Sequence, residues 1–104
     1  MNNSAVEDSR GWLLDMLTYF EEQVRNGHQP TAFVSIFRPG LRDAGQTWGA
    51  TQIRRLERQW DHVTDAELRR ILDAMGHLRD QIENASIAQV MAYARHATKM
   101  FKSR

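Results

Sequence analysis

No cysteine occurs among the 104 residues, which excludes disulfides, zinc–thiolate sites and thiol nucleophiles together. No apolar run approaches the ~20 residues that a membrane-spanning helix needs. The opening Met1-Asn2-Asn3-Ser4-Ala5-Val6-Glu7-Asp8 has neither the basic start nor the apolar stretch of a signal peptide, so a bacterial-type cytoplasm is the expected location.

Catalytic motifs are also missing. The chain has no Gly-x-Ser-x-Gly elbow, and Gly40, Gly45 and Gly49 lack the lysine of a phosphate-cradling loop. Ser4, Ser9 and Ser86 are accounted for as helix caps, and the carboxylates fall mainly on polar helix faces, where water keeps their chemistry ordinary. His28, His62, His77 and His96 are widely separated, so none has a second histidine three or four residues away, as a helical metal pair requires. Asp73 and His77 stand four apart and read as an exposed carboxylate–imidazole pair. An enzyme is not expected, nor is a metal or other cofactor.

What is present is the composition of one globular domain spanning residues 1–104, 41% hydrophobic and 26% charged. The formal charge of +1 conceals alternating blocks. Residues 1–27 are net acidic through Glu7, Asp8, Asp15, Glu21 and Glu22, and 28–58 net basic through Arg38, Arg42, Arg54, Arg55 and Arg58. Residues 59–83 are acidic again, whereas no acid follows Asn84 and Arg95, Lys99, Lys102 and Arg104 make the end basic. Such blocks suit helices that pair acidic against basic, within one chain or between two.

The hydrophobic pattern is helical. Leu13, Met16, Leu17, Phe20 and Val24 predict a first helix over about residues 6–26, opened by Ser4 with Glu7 and closed by Gly27. Gly11 weakens its first turns and moves the expected start toward Ser9. From Gly27 to Thr51 the residues Pro30, Pro39, Gly40, Gly45 and Gly49 break the period. The run Phe33, Val34, Ile36, Phe37 is read as a short helix, since a lone strand lacks a pairing partner. Ile53, Leu56, Trp60 and Val63 predict a helix over about 50–62. Thr64 with Glu67 opens another, carrying Leu68, Ile71, Met75, Leu78 and Ile82. Ser86 with Gln89 opens a last one, with Ile87, Val90, Ala94, Ala97 and Phe101. The expected fold is all-α, a small bundle of four to five helices forming a homodimer.

DNA binding is the alternative. Leu41 to Leu56 superficially suggests a helix-turn-helix, but its register puts Asp43 at the small buried position, where an unpaired carboxylate is costly. Arg54, Arg55 and Arg58 offer a phosphate-gripping helix, interrupted by Glu57. Nucleic acid is therefore the less favoured partner, and a membrane contact is not expected because the last helix lacks interfacial tryptophans.

Protein contact has positive support. Trp12, Trp48, Trp60, Tyr19, Phe33, Phe37 and five methionines exceed what one small core absorbs, and such side chains are enriched at interfaces. The expected partner-binding residues are Phe33, Phe37, Trp48 and Trp60, which the bundle seams explain least.

The length, the absence of cysteine and the stretches Asn2-Asn3-Ser4-Ala5-Val6 and Gly11-Trp12-Leu13-Leu14-Asp15-Met16-Leu17 resemble the small quorum-sensing antiactivators of proteobacteria. The resemblance implies a dimeric regulator that binds the ligand-binding domain of a LuxR-type transcription factor. It also implies that binding blocks receptor dimerisation and DNA binding. No individual residue role follows from it.

Overall fold

Residues 3–46 and 48–102 are described by a computed structural model, and they form six α-helices with no strand among them. These are α1 (Asn3–Arg25), α2 (Thr31–Ile36), α3 (Arg38–Asp43), α4 (Ala50–Gln59), α5 (Asp65–Glu83) and α6 (Ile87–Lys102), and a 3-10 turn (Trp60–His62) extends α4. The fold is all-α, as expected. Six helices stand where four or five were expected, because the segment after Gly27 holds two short helices rather than one. Met1, Asn2 and Arg104, which entered the sequence reading, lie outside the described residues.

α1 begins earlier than Ser9 despite Gly11. Its first turns are held by tertiary contact, which outweighs a propensity cost of about 1 kcal/mol. Val6 is buried, and Arg10 Nη1 donates to the carbonyls of Ile82 (2.6 Å), Glu83 (3.2 Å) and Ala85 (3.1 Å). One side chain thus ties the start of α1 to carbonyls at and just beyond the end of α5. Ser4 lies inside the first turn, so the expected box with Glu7 does not mark the start.

Two glycines stop helices in the same way. Gly27 (φ +92°) and Gly45 (φ +78°) adopt left-handed backbone. Their following N–H groups reach back, His28 to the Gln23 carbonyl at 2.9 Å and Gln46 to the Leu41 carbonyl at 2.7 Å, the bonding of a Schellman end. The break between α2 and α3 comes from Pro39. It has no N–H for the Ser35 carbonyl four residues back, and its ring crowds that oxygen. The orphaned carbonyl is taken by His96 Nε2 at 2.9 Å, which ties α2 to α6.

The later caps form at the expected sequence positions. Thr64 Oγ1 accepts from the Glu67 N–H at 3.1 Å, while Ser86 and Gln89 bond each other reciprocally at 3.2 and 2.9 Å. α1 packs against α5 and α6, α2 and α3 close the bundle, and α4 rests on α2. Leu13, Leu17, Phe33, Met75, Leu78, Ile82, Val90 and Ala97 are sealed from solvent at its centre. Each buried aliphatic or aromatic side chain there contributes about 1.5–3 kcal/mol.

Close packing shows most at Gly40. A Cβ there would lie 2.7 Å from Leu78 Cδ1 and 3.9 Å from the Tyr93 ring, so α3 approaches α5 and α6 over bare backbone. No helix among the described residues is long and apolar enough to cross a membrane.

Candidate interaction surface

Of the four residues expected to contact a partner, Phe33 and Phe37 are core residues, 0% and 2% exposed. Neither is open to a partner. The phenylalanine run reads as surplus only if the short helices are peripheral; instead α2 lies on α6 and turns both rings inward.

Trp60 is half-buried, and its indole Nε1 donates to the Gly27 carbonyl at 2.7 Å. That bond fastens the end of α4 to the turn after α1. Trp48 is half-buried beside Gln52, Arg55, Leu56, Glu67, Arg70 and Ile71, which line a cleft of about 330 Å³ between α4 and α5. The four residues therefore do not converge on one face.

The arginines of the DNA-binding alternative divide as well. Arg55 donates to Glu67 at 3.2 Å, while Arg54 and Arg58 are exposed. Asp43 accepts from the Tyr93 hydroxyl at 2.6 Å, so its carboxylate has a partner.

The aromatic surface lies elsewhere, on α1 and the end of α6. Trp12 is 39% exposed, Tyr19 56% and Phe101 45%, with Trp12 and Phe101 in tilted contact at 6.3 Å between ring centres. Together with Met16, Phe20 and Ile36 they line a groove of about 530 Å³, which His28, Gln29 and Ala32 also border. Its floor is continuous with the core. Phe20 meets Phe33 and Phe37 at 6.1 and 6.3 Å, and Tyr19 meets Phe20 edge-on at 5.5 Å.

Local sequence explains this exposure. Leu13, Leu17 and Val24 take the inward face of α1. Trp12, Met16 and Tyr19 repeat at steps of four and three along the adjacent flank. The apolar arc of α1 is thus wider than the bundle can cover. That excess width was the available signal, and assigning Met16 to the buried seam concealed it.

Burial first, and then the hydrogen bond to Asp43, raise the Tyr93 phenol above its ordinary value of 10.0. Gln81 Nε2 donates to the same oxygen at 3.3 Å. This arrangement is a clamp between α3, α5 and α6.

An all-α bundle with one aromatic groove and one phenol–carboxylate clamp is what the fold and surface define. No known protein family, curated protein or solved structure matches the chain.

Proposed function

We propose that this chain is a non-catalytic regulator that binds another protein through the groove between α1, α2 and the end of α6. The observation that carries this is the exposure of Trp12, Tyr19 and Phe101 around one depression. Large aromatic groups beside a concavity are typical anchors of protein recognition. A groove of this kind accepts an apolar helix or loop edge, and water is displaced from both sides when it does.

The partner proposed is the ligand-binding domain of a LuxR-type quorum-sensing transcription factor, with the chain acting as an antiactivator in the cytoplasm of a bacterium. Occupying the receptor's dimer surface prevents dimerisation and so weakens its hold on DNA. This specific partner is supported by the resemblance of the chain's opening, and the groove supplies an apolar surface of the sort such competition needs.

The test mixes the purified chain with such a receptor domain and follows complex formation by calorimetry and size-exclusion light scattering. Binding is expected for the native chain and lost in Tyr19→Glu, with helicity unchanged. In a mobility-shift assay the chain releases receptor from DNA but shifts no DNA itself. A salt-sensitive shift by the chain alone would instead favour the Arg54–Arg58 helix as a phosphate contact.

A further inference from the structure

The cleft between α4 and α5 joins an apolar lining to positive charge. Buried Ile71 and half-buried Leu56 and Trp48 supply the apolar part. At about 330 Å³ the cleft falls in the range of small-molecule sites, roughly 300–1,000 Å³. Such sites pair an apolar wall with a few polar groups that fix the ligand's orientation.

The polar groups come in matching register from the two helices. Gln52, Arg55 and Leu56 stand at i, i+3 and i+4 on α4, and Glu67, Arg70 and Ile71 repeat that spacing on α5. Each trio therefore occupies one helix face. Arg55 and Glu67 compensate each other in an ion pair at 3.2 Å. Arg70 is exposed and makes no ion pair among the described residues. The lining thus holds one uncompensated positive charge. Gln52 Oε1 accepts from the Gly49 N–H at 3.0 Å, which leaves its Nε2 donor uncommitted.

We infer that this cleft binds a small planar carboxylate, with its aryl group against Trp48, Leu56 and Ile71 and its charge on Arg70. A guanidinium presents a flat fork of N–H donors that matches the two oxygens of a carboxylate. An indole offers a π-face on which a flat aryl group packs. The single uncompensated charge suits a monoanion and repels a cation of the same shape. No residue lines both this cleft and the Tyr19 groove, so the inference does not depend on the proposed function.

The test titrates naphthoate into the full chain and follows the tryptophan indole N–H signals in nitrogen-labelled NMR spectra. Trp48→Phe identifies the Trp48 signal by its loss. Saturable movement of that signal is expected, with a dissociation constant of about 1 mM or tighter. No saturable movement, or movement confined to the other two tryptophans, overturns the inference. Arg70→Gln is expected to weaken naphthoate binding by roughly tenfold or more with the circular-dichroism spectrum retained. Arg69→Gln, exposed and outside the cleft, is expected to leave the affinity unchanged. An unchanged affinity in Arg70→Gln, or equal loss in both variants, overturns the assignment of the carboxylate to Arg70. Naphthamide keeps the shape without the charge and is expected to bind the native chain roughly tenfold more weakly or less tightly still. Equal affinity for amide and carboxylate would mark the cleft as merely apolar and overturn the inference.

Discussion

His96 Nε2 lies 2.9 Å from the carbonyl oxygen of Ser35. Because a carbonyl only accepts, the proton of this hydrogen bond sits on Nε2. The oxygen is available because Pro39, four residues on, has no N–H to offer. One proline therefore splits α2 from α3 and also creates the acceptor that anchors both to α6. His96→Leu leaves that acceptor unsatisfied in a partly buried setting and is expected to cost about 1–3 kcal/mol. Urea denaturation measures it, and an unchanged midpoint would show that water replaces the imidazole.

Gly40→Ala tests the closeness of α3 to α5. The added methyl meets Cδ1 of the sealed Leu78 side chain at 2.7 Å, so Leu78 must shift within the core. Overpacking of this kind costs about 1–3 kcal/mol, read as a lower denaturation midpoint with little change in helicity. Restoration by Leu78→Val in the double variant is expected, since it removes the clashing carbon.

Phe37→Ala separates core from contact. Deleting a ring 2% exposed leaves a cavity and is expected to cost about 3–5 kcal/mol, with broad loss of cooperative unfolding. Tyr19→Ala, by contrast, removes a ring 56% exposed and is expected to leave thermal stability nearly unchanged. If the two variants lose stability equally, Tyr19 is a structural residue and not a surface anchor.

Alkaline pH probes the clamp between α3 and α6. The raised phenol of Tyr93 means that the folded state holds this proton more tightly than the unfolded state does. Its contribution to stability is complete below the ordinary value of 10.0 and is lost as pH rises through the folded-state value. Stability is expected to fall over that alkaline window in the native chain, and the fall is smaller in Tyr93→Phe. That variant also loses the bond to Asp43, about 1 kcal/mol at neutral pH. Identical alkaline profiles would mean that the phenol does not control this loss.

The long helices were legible because their signals are local. Thr64 with Glu67, Ser86 with Gln89, and the 3-4 rows of α5 announce where helices begin and which side turns inward. Gly27 announced the end of α1 for the same reason. The segment between α1 and α4 was less legible, since Pro39 and Gly45 mark interruptions without saying what lies between them. The fates of Phe33 and Phe37 depend on α2 lying over α6, a contact some sixty residues distant through His96 and Ser35. The aromatic groove was hidden by a similar limit. Periodicity ranks Trp12, Met16 and Tyr19 as apolar, but only the number of neighbouring helices decides which of them remain uncovered.

The attachment of α4 has a consequence for the order in which the molecule opens. This helix follows the Gly45 bend, rests on α2, and is pinned at two points, Trp60 to the Gly27 carbonyl and Arg55 to Glu67. Its apolar residues Ile53 and Leu56 are only half-buried, so lifting it exposes little that was dry. α4 is therefore a unit of local unfolding, detaching with a free energy well below that of the whole chain. Its amide protons are expected to exchange with solvent through this partial opening, well before those of α1 and α5, and hydrogen exchange measures the difference.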